Sequence, residues 1–241
     1  MSDAYRESVV LPGDDVTCLV SFAPSPLRLG AGLHVRDAGI FATRAGVLQH
    51  LEPNRFFVWS SARRFSPAVG DTVVGVVRDR LADAYRVRLH GTSLALLPVL
   101  AFDGATRRNK PSLAIGALVF ARIVACSKHM EPELSCTAPA GTPKKDWMTG
   151  AAVFGELAAG RLAHVPLGLA RRLLDPSCAL LATLGRALSF QAAVGLNGLV
   201  WISGETDAAT AAICAALEAA TSLDEDECAA LAERTIADAK K

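Results

Sequence analysis

Apolar and polar residues alternate in five short segments between residues 70 and 138. The clearest is AYRVRLHG, in which Arg86 and Arg88 alternate with apolar residues and therefore share one face of an extended chain. Gly, Asp, Pro or His-Gly bound each segment, and such residues favour turns. The pattern predicts five strands, in GDTVVGVVRD, AYRVRLHG, SLALLPVLAF, LVFARIVAC and LSCTAP.

The connections between these strands favour a small barrel. The link between the third and fourth strands is long and polar, as in a closed or nearly closed barrel of the OB type. Such barrels commonly bind single-stranded nucleic acid on one face. Charge points the same way, because residues 63–145 contain thirteen Lys and Arg against six Asp and Glu, while the whole chain has a net charge of only +1. The alternative is a basic surface that is merely solvated.

Composition on either side of this segment predicts three domains, at residues 1–64, 65–140 and 141–241. Residues 1–64 predict a small β-domain that starts with a short strand before a Pro-Gly turn. Three further strands are predicted between Leu33 and Ser61, broken by turn-forming residues at 37–39, 44–46 and 52–54. This domain has few polar clusters, so we expect it to be an interaction surface.

The elements predicted for residues 141–241 follow the order β-α-α-β-β-α, which is that of a K-homology (KH) domain, plus one extra acidic helix. The predicted fold class is therefore mostly β with an α/β C-terminal domain. A KH domain binds nucleic acid through a GXXG loop between its first two helices. In this chain that place is occupied by residues 175–178, which contain no glycine and include an acidic side chain.

One Gly-x-x-Gly tetrapeptide does occur, between two predicted strands of the KH-type domain. Its residues are Gly195, Leu196, Asn197 and Gly198. Asn-Gly at a hairpin favours a type I′ turn, which predicts positive φ at both residues. We interpret the tetrapeptide as architectural, and Trp201 beside it as a core or interdomain aromatic residue.

Six cations are candidate RNA contacts: Arg86, Arg88, Arg107, Arg108, Lys110 and Lys128. The first two share a strand face, the next three lie on the long connection, and Lys128 lies on the turn between the last two strands. Cations on a loop held by strands at both ends suit phosphate binding, although a solvated charge run is the common alternative. Stacking platforms are scarce, so we expect contacts to the RNA backbone and weak sequence preference.

Catalytic patterns are missing from the sequence. Cleavage of RNA needs clustered carboxylates for metal ions, or an acid–base set of His and Lys. Asp79 and Asp83 form the nearest pair, but arginines alternate with them and favour a hydrated turn. There is no serine elbow, P-loop or HExxH motif, and the six cysteines form no C-x-x-C pair. We expect a non-catalytic protein without metal or cofactor.

Membrane association is not predicted. The N-terminal residues MSDAYRESVV contain no apolar signal region. The longest apolar run, at residues 180–202, is interrupted by Arg186, Gln191 and Asn197. We therefore expect neither a secretory signal nor a membrane span.

Three segments carry a family resemblance that covers about residues 9–220. In order, they are LAFDGATRRNKPSLAIGALVFARI, KHMEPELSC and GLNGLVWI. Together they resemble the RNA exosome cap subunits of the family called ribosomal-RNA-processing protein forty. The resemblance implies an N-terminal β-domain, a barrel of the S-one type and a C-terminal KH domain. The family's G-x-N-G motif falls on residues 195–198.

This resemblance also implies a function. Members are non-catalytic subunits that sit on a ring of RNase PH-like proteins beside other cap subunits. They help to line the RNA entrance and pass single-stranded RNA to separate 3′–5′ exoribonucleases, in the nucleus and nucleolus and also in the cytoplasm. The alternative is a free-standing regulator or translation factor that binds single-stranded RNA, and a nuclease is a distant third.

Overall fold

The computed structural model describes most of the chain. The described residues are 8–21, 26–37, 39–51, 54–60, 64–90, 93–127, 129–139, 153–175, 178–222 and 225–239. The chain divides into two compact units, Met1–Ala62 and Arg63–Lys241. No helix of the described residues is long and apolar enough to span a membrane.

The first unit is a small β-structure with one short helix. Its elements are β1 (Val9–Val10), α1 (Thr17–Val20), β2 (Arg28–Leu29), β3 (Leu33–Arg36), β4 (Gly39–Ala42), β5 (Gly46–Leu51) and β6 (Arg55–Trp59). One sheet has the order β1-β5-β6-β2, and β3 pairs with β4 as a hairpin. The sequence predicted three strands after Leu33, whereas four form, because the chain breaks at all three predicted turns. Val10, Leu48, Phe56 and Val58 form part of its core.

The second unit begins with a closed barrel of five strands. They are β7 (Thr72–Arg80), β8 (Ala84–His90), β9 (Ser93–Pro98), β10 (Leu118–Ala125) and β11 (Glu133–Ser135). The order β11-β9-β8-β7-β10 is closed by pairing of β11 with β10. All five predicted strands are confirmed, and the long connection lies between β9 and β10 as predicted. A further short strand, β12 (Gly155–Leu157), pairs with β10 and was not predicted.

Side chains of β8 alternate between the interior and exterior of the barrel. Tyr85, Val87 and Leu89 are buried in the interior. Arg86 is partly exposed and Arg88 is exposed, so both lie on the outer face. The period of two in the sequence therefore assigned the two faces correctly.

The KH region follows the barrel. Its elements are β13 (Arg161–His164), α2 (Leu167–Leu174), α3 (Ala179–Ala187), β14 (Phe190–Val194), β15 (Leu199–Gly204), α4 (Asp207–Ala219), a short 3₁₀ helix (Ala220–Ser222) and α5 (Glu225–Ala239). The predicted order and the extra helix are confirmed. The sheet has the order β13-β15-β14, and apolar helix faces cover one side of it. Thr206 caps α4, because its hydroxyl oxygen accepts a hydrogen bond from the Ala209 amide at 3.2 Å.

Candidate nucleic-acid interface

The outer face of β8 presents the first candidate cations. The Arg86 Nε atom lies 3.8 Å from a carboxylate oxygen of Glu131, which makes an ion pair but not a hydrogen bond. Asp79 also lies opposite Arg86 in the β7–β8 ladder. Arg88 is different, because its cross-strand neighbours are Val76 and Leu94. Arg88 is therefore the cation of this face whose charge is less compensated by its surroundings.

A second set of cations lies on the basic loop, which we define as residues 104–110. Arg107, Arg108 and Lys110 are all exposed. Thr106 and Asn109 hold the loop in a tight turn, since the backbone amide of each donates to the backbone carbonyl of the other, at 2.9 and 3.1 Å. The cations therefore project from a loop of defined shape.

Tyr85 anchors the end of the basic loop from inside the barrel. Its hydroxyl donates to the carbonyl oxygen of Pro111 at 2.9 Å and accepts from the amide of Leu113 at 3.2 Å. The ring is fully buried. Tyr85 thus points inward as expected, and it serves as a structural anchor instead of a stacking platform for a base.

The two sets of cations lie toward different ends of β8. Arg107 and Lys110 line a cavity of about 470 Å³ beside Pro98 and Leu100. Pro98 is paired with the first residue of β8, Ala84, whereas Arg88 lies near the last residue of that strand. The four residue steps from Ala84 to Arg88 span about 13 Å of strand. A strand of RNA that touched both sets would need to follow β8 along its length.

Other candidates stand apart from these two sets. Arg108 is exposed but does not line the cavity beside Leu100. Lys128 lies outside the described residues. All six cations remain predicted RNA contacts.

The Gly195–Gly198 hairpin turn connects the KH region to the barrel. The Asn197 side chain is fully buried, and its amide nitrogen donates to the carbonyl oxygens of Val74 and Leu89 at 2.7 and 2.6 Å. Its side-chain oxygen accepts from the Val74 amide at 3.3 Å. The Leu196 amide donates to the Thr72 carbonyl at 2.9 Å. One buried asparagine therefore bridges the strands β7 and β8 from the KH side.

The conformation of this turn differs from the sequence prediction. Gly198 has a φ of +79°, whereas Asn197 is not among the described residues with positive φ. The Gly198 amide donates to the Gly195 carbonyl at 3.1 Å, which closes a four-residue turn. A left-handed glycine after such a turn is typical of three-residue hairpin loops, so the predicted type I′ turn is wrong.

Apolar contacts surround the hairpin. Trp201 is 4% exposed and packs in a cluster with Val74 of the barrel and Ala193 and Leu199 of the KH sheet. Leu118 and Phe120 of β10 pack against the same cluster. Trp201 is thus an interdomain residue, and the barrel and KH region share part of their core. A local sequence pattern carried no signal for the hydrogen bonds of Asn197, apart from an asparagine inside an otherwise apolar stretch.

Comparisons with known proteins identify both parts of this unit. A family model described as "Exosome complex component RRP40, S1 domain" matches residues 65–148, and a KH domain model matches residues 160–208. Exosome complex component RRP40 of Drosophila melanogaster is 36% identical over 223 residues, covering 92% of this chain and 91% of the relative. The chain belongs to the RRP40 family.

Further RRP40 relatives agree. The protein of Schizosaccharomyces pombe is 34% identical and covers 91% of both chains. The protein of Homo sapiens is 32% identical and covers 85% of this chain and 75% of its own. A crystal structure assigned to an exosome complex RNA-binding protein has the same fold, with a TM-score of 0.56 and 18% identity over 73% of this chain and 95% of its own. The family and fold suggested by the sequence are confirmed.

Among the described residues of this RRP40 family member, potential metal-binding and nucleophilic side chains do not form a cluster. The described residues include no group of three or more His, Cys, Asp or Glu placed to hold a metal ion. Asp79 and Asp83 are both exposed near the β7–β8 turn. All six cysteines are free, and burial raises the pKa of the Cys136 thiol far above its usual range. That thiol is therefore a poor nucleophile.

Proposed function

We propose that this chain is a non-catalytic, RNA-binding cap subunit of the RNA exosome. The observation that carries the proposal is the similarity to proteins named exosome complex component RRP40 over about nine-tenths of the chain. The fold supports it, because an S1-type barrel presents exposed cations on its outer face and on the basic loop.

The subunit would hold RNA mainly through its phosphates. Tyr85 and Phe102 are buried, so neither ring is available for stacking on bases. Exposed arginine and lysine side chains bind phosphate without reading sequence. Three to five such contacts would give binding that weakens with salt at a slope of about −2 to −3.5.

In the assembly, this subunit would sit on RNase PH-like ring subunits beside other cap subunits. It would help to line the RNA entrance and guide single-stranded RNA to separate 3′–5′ exoribonucleases, in the nucleus, nucleolus and cytoplasm. The shared core and the Asn197 hydrogen bonds support such a role, because they hold the barrel and KH region in one arrangement. A guide with fixed geometry needs no reorganisation when RNA passes.

Affinity purification of the tagged full chain from its own cells tests this proposal. We expect RNase PH-like and cap proteins to co-purify in comparable amounts, as identified by mass spectrometry. Recovery of the chain without them, but with RNA or ribosomal proteins, would favour the free-standing regulator instead.

Incubation of the purified chain with single-stranded RNA, Mg²⁺ and phosphate tests the non-catalytic assignment. The RNA should remain intact. RNA degradation that persists through stringent purification and disappears with a point mutation in this chain would contradict it.

A further inference from the structure

A cleft between the barrel and the KH sheet includes Arg88, one of the candidate cations of β8. This junction cleft has a volume of about 360 Å³, and its lining includes Val76, Arg88, His90, Leu162, His164 and Leu199. Its volume lies at the lower end of the range for small-ligand pockets. Both domains contribute to it, since β7 and β8 supply one wall and β13 and β15 supply the other.

The walls of the junction cleft are held in place by the hairpin turn. His164 lies opposite Leu199 in the β13–β15 ladder, directly beside the hairpin. Asn197 in the hairpin bonds to Leu89, the residue between Arg88 and His90. The two walls therefore keep a fixed separation, and a ligand would meet a preformed site.

Charge in the junction cleft favours an anion. The described residues that line it include Arg88, His90 and His164 and no carboxylate. Arg88 faces apolar neighbours across both adjacent strands. A guanidinium group presents parallel N–H donors that match phosphate oxygens, so Arg88 is suited to bind one phosphate group.

The hydrogen bond of His90 fixes which ring nitrogen carries the proton. Its Nδ1 atom lies 3.1 Å from the carbonyl oxygen of Asn197. A carbonyl oxygen only accepts, so Nδ1 must be the donor. In the neutral ring, Nε2 is then an acceptor. The 2′-hydroxyl of a ribose is a donor that DNA lacks.

We propose that the junction cleft binds one ribonucleotide of a single-stranded RNA. Its phosphate lies at Arg88 and His164, and its 2′-hydroxyl donates to Nε2 of His90. Val76, Leu162 and Leu199 supply an apolar surface for the sugar and base. The inference rests on the proposed RNA-binding function. It gives the KH region a direct RNA contact even though the sequence between its first two helices contains no glycine loop.

Binding of labelled oligouridylate and oligodeoxyuridylate to the full chain tests this inference. Fluorescence anisotropy over a series of KCl concentrations gives both affinity and salt slope. The Arg88→Ala/His164→Ala variant should bind oligouridylate about tenfold more weakly, as expected for loss of a charge-assisted contact. Its salt slope should flatten by about 0.7 for the lost phosphate. The wild type should prefer RNA to DNA, and a His90→Ala variant, which removes the Nε2 acceptor, should lose that preference.

Three controls separate the junction cleft from general charge and stability effects. Arg88→Lys keeps the positive charge and should retain the salt slope. Arg186→Ala and His34→Ala remove exposed side chains of the same types outside the cleft lining, and should leave binding unchanged. Thermal melts report folding of every variant, and His164→Gln replaces His164→Ala if the latter melts early.

The outcomes separate this inference from the proposed function. A wild-type chain that binds no RNA overturns both. A wild-type chain that binds RNA while the cleft variants bind equally well overturns only the cleft. Equal affinity for the two oligonucleotides overturns the 2′-hydroxyl contact. If the cleft variants bind RNA like the wild type but their RNA binding no longer responds to inorganic phosphate, the cleft is a small-anion site. If they bind RNA like the wild type but fail to assemble into the exosome, the cleft is a protein contact.

Discussion

The hairpin turn at residues 195–198 and the basic loop at residues 104–110 contain the same unusual residue types in different surroundings. Each has one asparagine and one glycine whose φ is close to +80°. Asn197 is fully buried and bonds to two barrel strands, whereas Asn109 is exposed on a loop that projects from the barrel. The comparison shows that burial, and not residue type, decides which of these turns builds the structure and which is available to a ligand.

Replacing each asparagine in turn by alanine should give the largest difference in stability between the two turns. Asn197→Ala leaves the buried carbonyls of Val74 and Leu89 without these donors. Each buried polar group left unsatisfied costs about 1–3 kcal/mol, so we expect the free energy of unfolding to fall by about 2–5 kcal/mol. Thermal denaturation followed by circular dichroism measures the change, with Asn109→Ala as the matched control. Equal melting of the two variants would show that the interdomain hydrogen bonds contribute little.

The glycines of positive φ give the next largest effect. A Cβ atom at Gly198 would lie 2.5 Å from the Val165 carbonyl oxygen, whereas one at Gly116, whose φ is +92°, would meet nothing within 4 Å. Gly116→Ala therefore adds backbone strain alone, at about 1 kcal/mol, and Gly198→Ala adds strain and overlap, at about 3 kcal/mol. Chemical denaturation of both variants measures the difference.

RNA binding by the glycine variants separates an architectural turn from a binding turn. Because Gly198 is buried at the junction and lies away from the basic loop, RNA binding by that loop should change little in the folded Gly198→Ala protein, while exosome assembly declines. A variant that melts like the wild type but has lost RNA affinity would instead place Gly198 in a binding loop.

Local patterns predicted the elements of this chain better than its long-range contacts. The barrel strands, the KH order and the outward position of Arg86 and Arg88 follow from periods of two and 3.6, which depend only on neighbouring residues. The partners of Asn197 lie more than 100 residues away in the sequence, so no local pattern contains them. The pairing of Arg86 with Glu131 spans 45 residues, so no local pattern contains it either.

The wrong turn type has a related cause. Asn-Gly favours positive φ at both residues when a hairpin is isolated. In this protein the Asn197 side chain is held by the barrel, and only Gly198 has the left-handed conformation. The turn that forms where tertiary hydrogen bonds hold the Asn197 side chain therefore differs from the turn that local preference predicts. The strand β12 forms by pairing with β10, more than 30 residues earlier in the sequence, and no local pattern contains that contact.

Exposed cations should affect RNA binding and leave stability intact. Arg107→Ala/Arg108→Ala removes two exposed charges from the basic loop, so the salt slope should flatten by about one unit or more. Affinity should fall by about the same factor for every RNA sequence, because phosphate contacts carry no sequence information. The free energy of unfolding should change by less than about 0.5 kcal/mol.

Salt-dependent anisotropy and exosome reconstitution on this double variant identify the role of the basic loop. Arg186→Ala, at the end of α3, is the control for loss of one exposed arginine. An unchanged salt slope together with impaired assembly would make the loop a contact to a neighbouring subunit, with its arginines paired to acidic groups there.

The smallest effect should come from the acidic partner of Arg86. Glu131 lies 3.8 Å from its Nε atom, and both side chains are more than a third exposed, so the pair contributes at most about 1 kcal/mol to stability. Glu131→Gln releases Arg86 for phosphate, which should tighten RNA binding about two- to threefold at low salt and steepen the salt slope by up to about 0.7. Glu133→Gln is the matched control, because it removes an exposed carboxylate two residues away that does not pair with Arg86. If both variants tighten binding equally, the gain reflects net charge alone, and Arg86 is not part of the RNA path.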